Sequence, residues 1–335
     1  MVYLIAMLSL ANPAPAAPLP ADVRDALTQL DHPQFRVRSK AARTVVAAGS
    51  IVIDPLRKLA EDGTVEAADR ALKILEELAA KPGTQSAAHD ALYRLATGES
   101  LARDGAREIR KRHRAGVLDI MREAGAHFQF DGDDIRVVNF DRVLDMDAML
   151  PLLRELPELT EFSASTKRFG DPEFKQLLPL KKLRLLNLFE SDIGDDSLKH
   201  FREFPNLESV PMGQTRVTDA GLKNLGELKK LDYLGLRGNQ ITDAGLVYLK
   251  NLPALTALTL EETRVTGTGF EHLHGLKLQT LRLQNSGFTD DGAKLLHGIK
   301  SLRQVDLRGT KVTGPAVENL REALPDVNVV SRDGE

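Results

Sequence analysis

Two histidines with matched surroundings are the first candidates for chemistry in this sequence. His274 and His297 lie 23 residues apart, and a glycine follows each of them. Imidazole binds transition metals, but a histidine followed by glycine is also typical of a helix end, where the side chain interacts favourably with the helix dipole. We interpret both histidines as residues that stabilise helix ends, and we expect no metal ion and no cofactor.

Other residues that could catalyse a reaction or bind an ion are weakly patterned. Asp131, Asp133 and Asp134 form an acidic cluster, but the wider spacing and the terminal glutamate of a calcium loop are missing, which favours a polar hairpin turn. The chain has no cysteine and no glycine-rich phosphate loop, which excludes thiol chemistry and that type of nucleotide site. No catalytic triad or carboxylate pair stands out. The sequence therefore predicts a protein that is not an enzyme and has no small-molecule substrate.

One basic run offers a different kind of chemistry. Residues 107–114 read Arg-Glu-Ile-Arg-Lys-Arg-His-Arg. On a helix these charges spread around most of the circumference, which is typical of a solvated helix. The alternative is a surface that contacts nucleic-acid phosphates. No aromatic residue lies within the run, so base stacking does not support that alternative. The net charge of the chain is −3, so no overall positive electrostatic field attracts nucleic acid either.

The leucines of the C-terminal half recur with a fixed period. Successive units begin 24, 24, 24, 24, 23 and 24 residues apart. The aligned leucines are Leu159, Leu183, Leu207, Leu231, Leu255, Leu278 and Leu302. A fixed period of this length is the signature of a repeat protein whose units stack side by side.

The clearest unit runs from Leu231 to Leu249. Leu234 and Leu236 are two residues apart, as in a strand with one buried face, whereas Leu246 and Leu249 are three apart, as on one face of a short helix. Between them lies Thr-Asp-Ala-Gly, in which threonine suits the N-cap and aspartate suits the positive end of the helix dipole. Each unit is therefore predicted to contain a strand, a turn and a short helix, and to bury its leucines only when stacked.

These units resemble leucine-rich repeats, and the Val/Ile-Thr-Asp-x-Gly-Leu segment is similar to the subclass found in bacterial and F-box-linked members. The resemblance covers about residues 159–330. It implies an α/β solenoid, an arc of about seven 24-residue units with a curved parallel sheet. Where the family commonly has Asn or Cys, this chain has Asn239 but mostly serine or threonine, whose hydroxyls we expect to bond the turn backbone. Lys167 at that position predicts an irregular first unit.

Both ends of the solenoid carry segments that predict caps. Residues 125–158 form the predicted N-terminal cap, with a hairpin over 127–140 and a helix near 148–156. The leucine-rich-repeat domain is predicted over residues 159–335. Within it, residues 324–330 are predicted to form a last strand that covers the open edge of the sheet.

The region before the cap is predicted to be helical. Residues 19–124 show the three- and four-residue apolar spacing of helices. The segments Leu30–Arg38 and Glu66–Leu72 resemble HEAT-type helical repeats. The sequence therefore predicts an all-α HEAT-like domain that precedes the solenoid.

Residues 1–18 resemble a secretory signal segment. An apolar run over Val2–Ala11 precedes a Pro/Ala-rich stretch with a possible cleavage site at Ala14-Pro15-Ala16, although no basic residue occurs before Arg24. The run is shorter than the roughly 20 residues of a transmembrane helix. The segment therefore predicts export to the periplasm or the outside of the cell, or else a disordered tail on a cytoplasmic protein. No transmembrane segment is expected.

The best functional candidate is the face of the predicted sheet that points away from the core. Residues at alternate strand positions face outward there, on the concave side of the arc. Aromatic and arginine side chains on such a surface are typical of binding hot spots. The predicted protein-binding residues are Phe189, Glu190, Tyr233, Arg237, Glu261, Glu262, Arg282 and Arg308.

These observations predict a non-catalytic scaffold that binds a partner protein on its concave face. Two alternatives stay open. Leu19-Pro-Ala-Asp-Val23 has a faint likeness to the start of an F-box, which would indicate a substrate adaptor of a ubiquitin-ligase type complex. The basic helix over 107–114 would indicate nucleic-acid binding.

Overall fold

A computed structural model describes residues 18–331, except residues 82, 101 and 133. The chain divides into two compact units at Ala115 and Gly116. The predicted signal-like segment over residues 1–17 lies outside the described residues. The predicted domain boundaries at residues 18, 124 and 158 stay predictions. Within the described ranges, no helix combines the length and the apolar character that crossing a membrane requires.

The first unit is built from α-helices. Their bounds are α1 Ala21–Gln29, α2 Phe35–Ala47, α3 Ile53–Asp62, α4 Val65–Ala79, α5 Gln85–Thr97 and the start of α6 Arg103–Glu123, with a 3₁₀ turn at Gly49–Val52. Helix α4 begins where the Thr64 hydroxyl accepts a hydrogen bond from the Ala67 amide at 3.1 Å, as an N-cap residue should. Leu56, Leu75 and Leu78 are fully buried between the helices. The all-α prediction is confirmed, whereas the likeness to HEAT repeats stays a prediction.

The second unit is organised by one sheet of ten strands in chain order. The strands are β1 His127–Asp131, β2 Asp134–Asn139, β3 Glu161–Ser163, β4 Leu185–Asn187, β5 Ser209–Pro211, β6 Tyr233–Gly235, β7 Ala257–Thr259, β8 Thr280–Arg282, β9 Gln304–Asp306 and β10 Asn328–Val330. β1 and β2 pair antiparallel, and every later pair is parallel. The predicted hairpin and the predicted last strand are therefore confirmed.

Short helices return the chain from each strand to the next. The α-helices are α7 Met146–Met149, α8 Asp171–Phe174, α9 Asp195–Leu198, α10 Asp219–Leu222, α11 Asp243–Leu246, α12 Asp290–Leu296 and α13 Gly314–Ala323. The 3₁₀ segments are Leu150–Glu155, Lys175–Leu177, Phe201–Glu203, Val247–Asn251 and Thr268–Leu273. The predicted cap helix near 148–156 is thus a short α-helix followed by a 3₁₀ segment.

The core of the second unit is a continuous apolar ribbon. All seven aligned leucines are fully buried within one cluster that runs from Leu118 to Val329. In the early repeats phenylalanines join the leucines, and the rings of Phe174 and Phe201 stack with their centroids 5.3 Å apart. Parallel strands, returning helices and this shared core make the unit a solenoid, as the sequence predicts.

At the repeat position where leucine-rich repeats commonly have Asn or Cys, the polar side chains of this chain form hydrogen bonds with the turn backbone. The hydroxyls of Ser191, Thr263 and Thr310 each donate to the carbonyl three residues earlier, at 2.6 to 2.7 Å. Asn239 instead reaches the preceding repeat, where its Nδ2 donates to the Met212 carbonyl at 2.8 Å. The predicted role of the hydroxyls is confirmed at these positions.

Each Thr-Asp-Ala-Gly segment is bonded to the aspartate at the matching position of the preceding repeat. Asp195 Oδ1 accepts from the Thr218 amide at 2.9 Å, and its Oδ2 accepts from the Thr218 hydroxyl at 2.7 Å. The sequence predicted that aspartate would stabilise its own helix, but its carboxylate also fixes the start of the next helix. The glycine of each segment makes room for this contact, because a Cβ on Gly221 would lie 2.3 Å from Asp195 Oδ1.

Candidate functional site

The open face of the sheet is the surface formed by strand side chains that point away from the core. On β6 and the two residues after it, the half-exposed Tyr233 and the exposed Arg237 alternate with the buried Leu234 and Leu236, in keeping with the two-residue period of an extended chain. This alternation places side chains of neighbouring strands in rows about 4.8 Å apart. One surface is therefore shared by five of the predicted binding residues, which lie on or directly after these strands, namely Phe189, Tyr233, Arg237, Glu261 and Arg282.

The middle of the open face contains a cavity of about 190 Å³. Its lining residues are Phe189, Pro211, Gly213, Tyr233, Gly235, Arg237, Thr259, Glu261 and Arg282. Five of the eight residues that the sequence singled out line this cavity. Glu190, Glu262 and Arg308 do not line it.

Two glycines form the floor between the aromatic side chains. A Cβ on Gly213 would lie 3.1 Å from the Phe189 ring, and a Cβ on Gly235 would lie 3.1 Å from the Tyr233 hydroxyl. Larger residues at these positions would push the rings aside. The rings therefore lean over bare backbone and give the cavity apolar walls.

Glu190 and Glu262 belong to a turn that follows the strands. The residue at this position has a left-handed φ between 56° and 68° in six successive repeats, namely Glu190, Gln214, Gly238, Glu262, Asn285 and Gly309. In each of the first five, its amide donates to a carbonyl of the next repeat at 2.7 to 2.9 Å. Strand alternation, which led to the prediction for the two glutamates, ends before this turn.

Glu262 organises the rim of the cavity. Its Oε1 accepts from Arg237 Nη2 at 2.6 Å, and its Oε2 accepts from Gln214 Nε2 at 3.1 Å. Both donors come from earlier repeats. The guanidinium of Arg237 is therefore held by Glu262 and its charge is balanced there.

Glu261 differs from the other carboxylates of the surface. It is half-buried, and its Oε2 is buried without a hydrogen-bond partner among the described residues. Burial raises the pKa of Glu261 above its ordinary value of 4.5, although the charge of Arg282 and the Thr259 hydroxyl oppose the rise. An unpaired buried acceptor is unfavourable in a folded protein. Among the described residues, Oε2 of Glu261 is therefore an unsatisfied oxygen of the cavity lining.

Two arginines near the cavity behave differently. Arg308 is held by the buried Asp306, with Nη2 to Oδ2 at 2.7 Å and Nε to Oδ1 at 3.0 Å. Arg282 is exposed, and in the described part of the chain its guanidinium makes no hydrogen bond or ion pair. Of the two, Arg282 has the guanidinium that remains available to an external group.

Gln284 is a residue of the site that the prediction left out. Its Nε2 donates to Asp306 Oδ2 at 2.8 Å, whereas its Oε1 is buried and, among the described residues, has no donor. Gln284 and Glu261 occupy equivalent positions, two residues after the neighbouring strands β8 and β7. The two-residue alternation placed both on the open face, but only the packing shows that an oxygen of each is unsatisfied.

The two histidines occupy helix ends. His274 Nε2 lies 2.9 Å from the Leu295 carbonyl oxygen of the following repeat, so a protonated nitrogen there donates to a carbonyl near the end of α12. Across the described side chains, no group of three or more histidines and carboxylates is arranged to hold a metal ion. Of the acidic cluster, Asp131 ends strand β1, while Asp133 lies outside the described residues.

The basic run contributes mainly to contacts within its own unit. Arg107 Nε donates to the Ala96 carbonyl at 2.9 Å, and Arg112 pairs with Glu76 at 2.8 Å. The guanidinium of Arg110 lies 4.7 Å from the centroid of the Tyr93 ring. These three arginines are therefore engaged internally, which does not favour a surface dedicated to phosphates.

The period, the parallel sheet and the returning helices define this unit as a leucine-rich-repeat solenoid. A family model described as leucine-rich repeat matches residues 228–250, the stretch that contains β6. No protein with a curated description matches the sequence.

Several solved structures are similar to the chain. An internalin of Listeria monocytogenes has a TM-score of 0.44 at 20% identity, over 55% of this chain and 50% of that one. Internalin C2 of the same organism has a TM-score of 0.44 at 18% identity, over 59% and 80%. A leucine-rich-repeat protein of Leptospira interrogans has a TM-score of 0.40 at 21% identity, over 53% and 50%. The chain thus spans half the length of the first of these.

Proposed function

We propose that this protein is a non-catalytic scaffold that binds a partner protein through the open face of its leucine-rich-repeat sheet. The observation that carries the proposal is the cavity in the middle of this face. It combines two aromatic walls with a carboxylate oxygen and a guanidinium that, among the described residues, have no donor and no acceptor respectively. A partner segment would cover the rings and satisfy both polar groups.

The mechanism is docking onto a preformed surface. Consecutive repeats are tied together by backbone and side-chain hydrogen bonds, so the rows of side chains are fixed before a partner arrives. Preorganisation of this kind reduces the entropy lost on binding. Phe189 and Tyr233 supply apolar area, and Arg237, already held by Glu262, supplies an ordered polar rim.

A triple substitution with a matched control tests the proposal. The variant Phe189→Ala, Tyr233→Ala, Arg237→Ala removes the rings and the rim. The control Tyr248→Ala, Arg264→Ala removes the same residue types from exposed positions off the sheet. We expect proteins captured from the native cell by the wild type to be lost by the triple variant and kept by the control. An unchanged partner list, with native circular dichroism, would refute the scaffold surface.

Neither alternative gains support from the contacts of the described residues. The arginines that suggested nucleic-acid binding are occupied within their own unit. No contact among the described residues favours a ubiquitin-ligase adaptor over another protein-binding role. We therefore propose the protein-binding scaffold and neither of the two alternatives.

A further inference from the structure

We propose that the cavity on the open face receives a basic side chain of the partner protein, whose cationic group contacts Glu261 in the cavity lining and Gln284 at the matching position of the next repeat. This inference rests on the proposed scaffold function and adds the chemistry of the partner. Three features of the surface lead to it: two unsatisfied oxygens, the unpaired carboxylate of Glu261, and the apolar walls.

The two unsatisfied oxygens can both be satisfied by one group that has several hydrogen-bond donors. Glu261 Oε2 and Gln284 Oε1 are both buried and, within the described residues, both lack a donor. They occupy equivalent positions two residues after β7 and β8, which are neighbouring strands about 4.8 Å apart. A lysine ammonium has three donors and an arginine guanidinium has five. Either group can serve two acceptors at once, whereas a hydroxyl donates only once.

The unpaired carboxylate of the cavity lining favours a cation. Arg237 is paired with Glu262, and Arg308 is paired with Asp306. Among the described charged side chains that line the cavity, Glu261 and Arg282 are left without an ion pair. Because they form no ion pair with each other, the carboxylate of Glu261 can be neutralised by a basic side chain of the partner.

Arg282 is the internal competitor for Glu261. Its charge opposes the rise in the pKa of Glu261, yet the two side chains form no ion pair within 4.0 Å among the described contacts. Arg282 is exposed and can remain solvated, while the carboxylate oxygen is buried. An incoming cation therefore has a free acceptor to contact.

The walls of the cavity fit the stem of a basic side chain. Phe189, Tyr233 and Pro211 line it together with the backbone of two glycines. Lysine and arginine bury their methylene groups against apolar surface and place the charged head at a polar group. Aromatic rings beside a cation add a favourable interaction.

The inference is tested with a displayed library of random peptides about twelve residues long. Peptides are selected on the full-length wild type and then sorted for those that the Phe189→Ala, Tyr233→Ala variant no longer binds. We expect these site-dependent peptides to share a lysine or arginine at one position. Replacing that residue by methionine, which keeps an unbranched stem without the charge, should weaken binding about tenfold or more.

Two protein variants complete a double-mutant cycle. Glu261→Gln removes the charge from the cavity, and Glu190→Gln removes the same charge from the same face outside the cavity. We expect Glu261→Gln to weaken the parent peptide about tenfold and to leave the methionine peptide nearly unchanged. Glu190→Gln should change the affinity for the parent peptide by less than about twofold.

The outcomes separate the two proposals. Site-dependent peptides without a shared basic residue, or with full affinity for Glu261→Gln, overturn the inference and leave the scaffold function standing. If no selected peptide depends on Phe189 or Tyr233, both are overturned. A carbon-13 titration of the Glu261 carboxyl gives a second measure: if Arg282→Ala raises its pKa by more than one unit, Arg282 is its partner and the inference fails.

Discussion

Asp219 and Thr242 lie one repeat apart and are joined by two hydrogen bonds. Asp219 Oδ1 accepts from the Thr242 amide at 2.9 Å, and Oδ2 accepts from the Thr242 hydroxyl at 2.6 Å. The same pairing joins Asp290 to Thr313 at 2.7 and 2.9 Å. An aspartate of one repeat thus fixes the start of the next helix, and stability is transmitted from repeat to repeat.

Gly245→Ala should destabilise the solenoid by about 1–3 kcal/mol. A Cβ at this position would lie 2.3 Å from Asp219 Oδ1, so the carboxylate would have to leave Thr242. Gly226→Ala is the control, because the nearest atoms to its Cβ, in Asn251, would lie 3.7 Å away. Urea denaturation of both variants measures the difference. In an Asp219→Ala background the cost of Gly245→Ala should shrink, and strict additivity would contradict the proposed clash.

Asn239→Ala should cost about 1–3 kcal/mol, because three hydrogen bonds to the preceding repeat disappear. Its Oδ1 accepts from the Thr215 amide and hydroxyl at 2.8 and 3.1 Å, and its Nδ2 donates to the Met212 carbonyl. Asn239→Thr should cost less, since threonine at this position bonds its own turn, as Thr263 does. Denaturation midpoints rank the variants. Equal stability of Asn239→Ala and wild type would show that the bridge contributes nothing.

Asp243 should make the solenoid sensitive to acid. Burial opposes its ionisation, but hydrogen bonds from Thr266, Gly269 and Gly267 outweigh that effect and lower the pKa below the ordinary 3.8. Since the pKa is lower in the folded state, the ionised group stabilises the fold above pH 3.8 and this contribution is lost as the pH falls further.

Denaturant titrations of the wild type and of Asp243→Asn measure how much the free energy of unfolding falls between pH 6 and pH 3. The variant should be less stable at pH 6 and should lose less on acidification. Asp147→Asn serves as the control, because this aspartate is exposed and its carboxylate makes no hydrogen bond among the described residues. A loss in Asp243→Asn as large as in the wild type would rule out this source of acid sensitivity.

The architecture could be predicted because burial leaves few choices. Leucines repeated every 23 or 24 residues, with two-residue spacing in one part and three-residue spacing in another, can leave water only by stacking units into a ribbon. The full burial of Leu231 and its equivalents follows from that constraint. The strand and helix pattern of each unit could therefore be predicted from the sequence alone.

The contacts between repeats could not be predicted in the same way. The room that Gly221 leaves for Asp195 depends on how closely two helices stack, and no single unit encodes that distance. The turn at Glu190 and Glu262 was missed because glutamate is uncommon at positive φ. Here a repeated hydrogen bond to the next repeat stabilises the conformation.

The candidate site was predicted by residue type more than by environment. Alternation placed Tyr233, Arg237, Glu261 and Arg282 on one face, and the cavity brings them together. It could not show that Arg237 is held by Glu262 while Arg282 has no ion-pair partner in the part of the chain that the structure describes. Pairing depends on side-chain packing across three strands, which a one-dimensional pattern does not contain.

The buried carboxylate of Glu261 should lower the stability of the unbound protein at neutral pH. Burial raises the pKa of its carboxyl above 4.5, so the folded state holds a proton that the unfolded state releases. Stability therefore falls as the pH rises from 4.5 through the raised value, and it stays lower above that value. The variant Glu261→Gln tests this effect. It should raise the melting temperature at pH 7 relative to the wild type, and this gain should vanish below pH 4.5. Calorimetric scans across this range measure the effect, and Glu190→Gln, on the exposed part of the face, is the control for the loss of one carboxylate. A lower melting temperature of Glu261→Gln at pH 7 would mean that the carboxylate has an internal partner in solution. The expected gain would instead fit a group held unsatisfied for binding, because such sites commonly lower the stability of the free protein.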